Sequence, residues 1–285
     1  MPNWVRNRVI AEDCAKLREL LLNEKGEVDF NKVIPMPQDL MISAGSNSYQ
    51  MPTAKVFVDY HKKQLEDQAI IDKELDKLFD ESLTQREFLR KVLTTHIALQ
   101  VISNVKGWDR NSKDFNSNVE QFVAGYYNFQ KYGYTDWYEW SRKEWGTKWN
   151  ASNTIMYDDE AVEFDTAWCM PYKVFEALAV KLDMPVRVQY ADEDLGSNCG
   201  LVDFVANPDT NEVDCFELLG ESVELANDTW GYGSITVFDE ETGDWIDDID
   251  DERFIEANKN YFEMQQKTNV LMTATDVASS YEVVQ

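Results

Sequence analysis

The hydrophobic periodicity of the chain changes twice, from strand-like to helical and back, and this order restricts the folds that the chain can form. Residues 4–10 alternate apolar and polar side chains, as a half-buried strand does, and the segment from Asp13 to Gly26 has the spacing of a capped helix. A helical block of about ninety residues follows, and alternation returns after Trp149. Because a lone β-α unit cannot bury its apolar faces, the later strands must complete its sheet.

The part after Trp149 predicts the order β, β, α, β, β, β. Strand patterns occupy residues 154–157, 161–166, 184–190, 200–206 and 212–218, and a helix begins at Pro171. Joined to the N-terminal unit, this order predicts an α+β fold, a ferredoxin-like split β-α-β sheet with its helices on one face, interrupted by a helical insertion. Beyond Gly220 we expect an edge strand over 234–238, a helix over 251–267 and a loosely held tail.

Four segments follow from this interpretation. Residues 1–53 form the N-terminal β-α part, 54–149 the helical insertion, 150–220 the remainder of the ferredoxin-like domain, and 221–285 an acidic C-terminal extension. Within the insertion, the capping box TQRE at 84–87 predicts a helix over 84–102, and further helices are expected over 62–79, 118–131 and 136–145. The prolines at 35 and 37 predict extended chain over 28–37.

Charge divides the chain into two unequal parts. Residues 1–153 hold 21 basic and 22 acidic side chains, whereas residues 154–285 hold 6 basic and 31 acidic ones. Nearly all of the net charge of −26 therefore belongs to the second part. Since 44% of the residues are hydrophobic, this charge belongs to a folded body and not to a disordered acidic tail. Such a surface repels phosphate backbones and attracts basic proteins, so direct binding of duplex DNA is not expected.

Several classes of protein are disfavoured by what the sequence lacks. There is no apolar run of about 18 residues and no signal peptide, so neither a membrane span nor secretion is expected. The four cysteines are scattered, which suits a reducing cytoplasm and suggests no zinc site. No Walker loop, dinucleotide fingerprint or His-Glu-x-x-His motif occurs, so we expect no cofactor, metal or catalytic residue.

Five short segments carry a family resemblance. They are MPNW at 1–4, NR at 7–8, FNKVIPMP at 30–37, WGTKWNA at 145–151 and FDTAW at 164–168, followed by Pro171. In order and spacing, over roughly the first 205 residues, they resemble the YubB ferredoxin-like domain proteins of phages and conjugative plasmids. The family often has cysteine where this chain has Val5, so no role for a cysteine carries over. The resemblance implies a ferredoxin-like fold and an accessory role for a mobile element in the host cytoplasm.

The candidate partner-binding residues are acidic and lie in two places. Residues 239–252 contain nine acids and no base, punctuated by aromatic and aliphatic side chains. The run also fits a solvated loop that maintains solubility. The candidates are Asp239, Glu240, Glu241, Asp244, Trp245, Asp247, Asp248, Asp250, Asp251 and Glu252, together with Asp192, Glu193 and Asp194.

An aromatic-rich stretch gives a second candidate surface. Ten aromatic residues fall between Tyr126 and Trp149. Aromatics at helical spacing fit a helix core, and the same residues fit a recognition surface because Trp and Tyr are enriched at binding hot spots. The candidates are Tyr132, Tyr134, Trp137 and Trp140. The same block is the candidate face for a homo-oligomer.

Together these features favour a non-enzymatic anti-defence inhibitor. We expect it to bind a host protein with a basic DNA-binding surface, such as a nuclease or a restriction or CRISPR-type complex, and to imitate DNA. Two alternatives stay open. One is a metal-dependent hydrolase that uses clustered carboxylates such as Asp192 and Asp194, and the other is a single-stranded nucleic-acid binder that uses the aromatic insertion.

Overall fold

A computed structural model gives the fold of the chain. It describes residues 2–44, 84, 113–157, 161–207, 210, 212–232, 237–239, 242–243, 245–246 and 250–272. The chain divides into two compact units, one made of residues 1–35 and 142–285 and the other of residues 36–141. The corresponding bounds expected for the insertion are 54 and 149. The expected helices over 62–79 and 84–102 lie outside the described residues, apart from Thr84.

The first unit is built on a six-stranded antiparallel sheet. Its strands are β1 (Trp4–Ile10), β2 (Ser152–Tyr157), β3 (Ala161–Ala167), β4 (Val186–Asp192), β5 (Cys199–Ala206) and β6 (Val213–Leu219). Its helices in chain order are α1 (Cys14–Leu21), α2 (Phe30–Val33), α5 (Tyr172–Leu182), α6 (Val223–Trp230), α7 (Glu252–Ala257) and α8 (Lys259–Leu271). A separate two-stranded sheet pairs β7 (Val237–Phe238) with β8 (Trp245–Ile246).

The strand order of the large sheet is β2-β3-β1-β4-β5-β6. β3 lies between β1 and β2, and β1 lies between β3 and β4, so β1-α1-β2 and β3-α5-β4 are two interleaved split β-α-β units. In this register Val5 is opposite Thr166 on one side and Asp192 on the other. The ferredoxin-like α+β prediction is confirmed, with the β5-β6 hairpin added beyond β4.

One face of the sheet has an apolar core against α1 and α5. The ring of Phe175 in α5 lies 6.2 Å from Phe164 in β3 and 5.6 Å from Phe204 in β5. The side chain of Asp13 accepts a hydrogen bond from the backbone of Lys16 at 2.8 Å, so the predicted cap of α1 is present.

Helices also cover the opposite face, so the expectation of helices on one face is wrong. Gln189 in β4 donates hydrogen bonds to Asp228 and Thr229 of α6 at 2.8 and 2.9 Å. Next to it, Arg187 forms a bidentate ion pair with Asp203, and it donates to the carbonyl of Leu271 in α8. Charged residues of the strands, which look solvent-facing in the sequence, are thus buried under the C-terminal helices.

Three local details differ from or refine the expectations. The segment 28–37 contains α2, because the Asp29 side chain caps it by accepting from the backbone of Asn31 at 3.0 Å. β7 lies within the edge strand expected over 234–238, of which residues 234–236 lie outside the described part, and it pairs with β8 and not with the large sheet. The C-terminal helix is broken at Asn258, whose side chain donates to the carbonyl of Phe254 at 2.9 Å.

The second unit contains α3 (Phe115–Tyr132) and most of α4 (Trp137–Glu144), which crosses its boundary. α3 ends at Gly133, which takes a positive φ of 78°. The side chain of Asn128 joins two segments by donating to the carbonyls of Asp39 and Thr135, at 2.8 and 3.1 Å. No described helix is long and apolar enough to cross a membrane.

Candidate functional site

Three tryptophans from distant parts of the sequence meet at one end of the large sheet. We call Trp4, Trp149 and Trp168 the tryptophan cluster. The ring of Trp149 lies 6.2 Å from Trp4 and 5.7 Å from Trp168. The ammonium of Lys148 lies 4.5 Å from the Trp149 ring and 4.9 Å from the Trp168 ring, within cation–π range of both. Trp149 is 36% exposed and Trp168 is 45% exposed, so the cluster faces solvent.

The segment that carries Trp149 is fixed on both sides by hydrogen bonds. The Thr147 hydroxyl donates to the carbonyl of Ala167 at 2.9 Å, next to Trp168. The Asn150 side chain donates to the Asp29 carboxylate at 2.7 Å and accepts from the backbone of Phe30 at 2.9 Å. The polar contacts of its neighbours therefore fix the backbone of Trp149 and add to the contacts of its ring.

Trp168 has a backbone conformation that costs energy. Its φ is 65°, in the left-handed region that disfavours residues with a Cβ by about 1–2 kcal/mol. Two hydrogen bonds hold it there: its amide donates to the carbonyl of Asn3 at 2.9 Å, and its carbonyl accepts from the side chain of Asn198 at 3.0 Å. The fold thus maintains a strained and exposed tryptophan.

The β4–β5 hairpin borders the cluster and contains three of the sequence-predicted acids. The Asp192 carboxylate is buried, and it accepts hydrogen bonds from the backbone of Asp194 at 2.9 Å and the side chain of Asn198 at 3.0 Å. Glu193 and Asp194 are exposed, and the backbone of Glu193 donates to the carbonyl of Trp4 at 2.9 Å. Asp192 therefore shapes the hairpin, and Glu193 and Asp194 present charge on a hairpin that is hydrogen-bonded to Trp4.

A second group of carboxylates lies along the edge strand β6. We call Glu212, Asp214, Glu217 and Glu221 the acidic edge. All four are exposed, and none of them is ion-paired in the part of the chain that the structure describes. The Glu221 carboxylate accepts a hydrogen bond from the backbone of Asn198 at 2.7 Å, which links this edge to the hairpin.

Titratable groups near the acidic edge are affected by its negative charge. Burial raises the pKa of the Tyr190 phenol, and the charges of Glu217 and Glu221 raise it further. Burial also raises the pKa of the Cys199 thiol, to which Glu221 adds a smaller contribution. Both shifts favour the neutral form, as expected in a negative local field.

The acidic run over residues 239–252 is only partly available to a partner. Asp239 and Asp251 both bind Arg253, at 2.8 and 3.0 Å, and the hydrogen bond from Arg253 lowers the pKa of Asp251. Asp250 and Glu252 are exposed, and Trp245 is 65% exposed. The other predicted members lie outside the described residues: Glu240, Glu241, Asp244, Asp247 and Asp248.

The predicted aromatic surface lies in the second unit and is not uniformly exposed. Trp140 is 6% exposed, whereas Tyr132, Tyr134 and Trp137 are half-buried. The Tyr132 hydroxyl donates to the Asp39 carboxylate at 2.8 Å, so one of its polar contacts is internal. Trp140 thus packs inside and is not presented to a partner by this arrangement.

No group of three side chains suited to a metal occurs among the described residues. The carboxylate of Asp192, proposed for a hydrolase, already accepts two hydrogen bonds from its own hairpin. Asp194, the second candidate, is exposed on the same hairpin.

Sequence reasoning missed both the tryptophan cluster and the acidic edge. Trp4 is more than a hundred residues before Trp149 and Trp168 in the sequence. Only the register of β1 against β3 brings Trp4 opposite Ala167, beside Trp168. A usable signal was present, since all three belong to the segments that carry the family resemblance. The acids of β6 gave no such signal, because their pattern does not tell which strand is an edge.

Residues 144–231 match the family model described as the ferredoxin-like domain in Api92-like protein. The matched range includes Trp149, Trp168, the hairpin, the acidic edge and α6, whereas β1 and α1 lie outside it. Neither a curated protein nor a solved structure matches the chain. The match and the strand order agree that this chain contains a ferredoxin-like domain.

Proposed function

We propose that the chain is a non-enzymatic inhibitor whose acidic surface occupies the basic DNA-binding surface of another protein. In this proposal the partner is a host defence protein that acts on DNA, and the inhibitor is an accessory protein of a phage or conjugative plasmid in the host cytoplasm. The resemblance to YubB-like proteins supports the biological setting. The physical support comes from the charges of the folded domain.

The observation that carries the proposal is a row of four exposed carboxylates, none of which is ion-paired among the described residues; the nearby Lys173 is paired with Glu176. Residues 154–285 have only six basic side chains. Three of them form ion pairs within the unit: Arg187 with Asp203, Arg253 with two aspartates, and Lys173 with Glu176. The charge of the acidic edge is therefore directed outward, where it attracts a cationic surface.

A strand is a suitable support for such a row because it holds its side chains at fixed spacing. Carboxylates on alternate residues of a strand are about 6.6 Å apart. This spacing is about twice the axial rise of ~3.4 Å per phosphate in one strand of DNA. In this chain only Glu212 and Asp214 have that spacing, whereas Glu217 and Glu221 follow at intervals of three and four residues, so the edge offers dense negative charge and not a regular phosphate-like repeat.

Affinity capture with matched charge variants tests the proposal. The tagged full chain is incubated with bacterial lysate, and the captured DNA-binding proteins are identified. The test variant is E212Q/D214N/E217Q/E221Q, which keeps an acceptor oxygen at every position. The control is E12Q/E19Q/E24Q/E27Q, which removes four exposed carboxylates from the N-terminal part of the chain.

We expect the wild type and the control to retain a DNA-acting protein at about 50 mM salt, and the test variant to lose it. Four rim charges worth about 0.2–1 kcal/mol each predict a loss of about fourfold to several hundredfold in affinity. Equal capture by the test and control variants would refute a role for the acidic edge. Capture of no DNA-acting protein by the wild type would refute the proposed function.

A further inference from the structure

The pair of exposed rings formed by Trp149 and Trp168 already holds a cation. Lys148, which belongs to the same segment, places its ammonium within 5 Å of both ring centroids, at 4.5 and 4.9 Å. The two ring planes are inclined by 31°, so they form an open wedge and not a closed stack. The faces of aromatic rings attract cations through their quadrupole, most strongly in tryptophan. The wedge is therefore a cation site that is filled by an internal side chain.

Two carboxylates on the neighbouring hairpin also suit a cationic occupant. Glu193 and Asp194 are exposed on the hairpin whose backbone is hydrogen-bonded to Trp4. The amide side chain of Asn198 joins the hairpin to the carbonyl of Trp168. A nucleobase could stack on the same rings, but its phosphates would meet these carboxylates, whereas a guanidinium would be attracted by them.

The strain at Trp168 points in the same direction. The left-handed φ of 65° is maintained by hydrogen bonds from both sides, and the ring that it positions remains 45% exposed. Strained conformations of this kind persist where the surrounding structure over-determines them, and they are common at ligand clamps. Burial of the ring gives no reason for the strain, whereas recognition of a ligand does.

We propose that Trp149 and Trp168 form a receptor for an arginine side chain of a basic partner, and that Lys148 occupies it while the partner is absent. The proposal deepens the proposed function and rests on it for the chemistry of the partner. Binding requires the partner's guanidinium to displace the Lys148 ammonium from the rings. Lys148 is thus a competitor of the ligand, and its removal strengthens binding of a cation.

The test uses the ¹⁵N-labelled full chain and an octapeptide of alternating arginine and glycine. Its counterpart with citrulline in place of arginine has the same shape without charge. Binding is followed through the indole N–H resonances and by calorimetry. The variant Lys148→Met removes the internal cation. Lys181→Met is its control, since it removes an equal charge from α5, where Lys181 donates to the carbonyl of Lys32.

We expect Lys148→Met to bind the arginine peptide about three- to tenfold more tightly, beyond any change in the control. Trp168→Gly removes the ring and suits the left-handed backbone, and Trp149→Ala removes the second ring; each should weaken binding about tenfold. The citrulline peptide should not shift the indole resonances.

Weaker or unchanged binding by Lys148→Met would overturn the proposal, and so would equal binding of the citrulline peptide. A single-stranded DNA oligonucleotide that shifts the same indoles and depends on Lys148 would overturn it in favour of a nucleic-acid site. The two proposals fail separately. If the acidic-edge variant loses peptide binding and the two tryptophan variants keep it, the tryptophan receptor is refuted. If the peptide binds but no DNA-acting protein is captured, the proposed function is refuted.

Discussion

The buried ion pair between Arg187 and Asp203 makes a quantitative prediction about the fold. Both side chains are 0% exposed, and two parallel hydrogen bonds of 2.6 Å join the guanidinium to the carboxylate. Replacing Arg187 by Met leaves the buried carboxylate of Asp203 without its guanidinium, and replacing Asp203 by Leu leaves the buried guanidinium of Arg187 without its carboxylate. Each single change should cost about 3–5 kcal/mol of the free energy of unfolding.

The double variant R187M/D203L should be far more stable than either single one. It leaves no buried charge at this position, and its main remaining loss is the hydrogen bond to the carbonyl of Leu271, worth about 1 kcal/mol. The two single losses together should thus exceed the loss of the double variant by about 5 kcal/mol or more. Urea unfolding followed by circular dichroism measures all four free energies.

Additive losses, or single losses below about 1 kcal/mol, would refute this reasoning. Such a result would mean that water reaches the pair and that α8 does not cover this face of the sheet. The placement of the acidic C-terminal region against the strands would then be wrong as well.

Three further changes test local features. Gly146→Ala should destabilise the chain by more than 1 kcal/mol in urea unfolding, because φ is 84° and the added Cβ would lie 3.1 Å from the backbone nitrogen of Tyr172; a neutral effect would contradict this. Burial alone would raise the pKa of Asp29, but hydrogen bonds from Asn150 and Asn31 outweigh it and lower that pKa. Its stabilisation is therefore present above about pH 4 and lost as the pH falls, so Asp29→Asn should flatten the acid limb of stability against pH, and an unchanged limb would count against it. Burial, with the nearby carboxylates, raises the pKa of the Tyr190 phenol above its usual value near 10, as an absorbance titration against Tyr190→Phe would show, and normal ionisation would contradict this burial.

The order of elements was the most predictable part of the structure. Alternation in β1 and the cap at Asp13 are local properties, and the short turns after Asn153 leave few topologies for the remaining strands. The short helix α2 was missed because two prolines favour extended chain only at the residues before them, whereas Asp29 caps a turn upstream.

The second helical layer was less predictable for a different reason. Arg187 and Asp203 occupy strand positions that a hydrophobic pattern assigns to solvent. Their ion pair across β4 and β5 offsets the free-energy cost of burying the two charges. Likewise, Asp239 and Asp251 look like free acids in the sequence, but Arg253 binds both. Which carboxylates remain available depends on contacts that are distant in sequence.

Displacement by DNA tests the central claim most directly. A partner protein captured by the wild-type chain is titrated with duplex DNA at about 50 and 200 mM salt. If the acidic edge occupies a DNA-binding groove, duplex DNA releases the partner at DNA concentrations near the dissociation constant of the partner–DNA complex. Higher salt also weakens the complex of the partner with this chain steeply. A complex that forms together with bound DNA, or whose affinity does not change with salt, would contradict the claim.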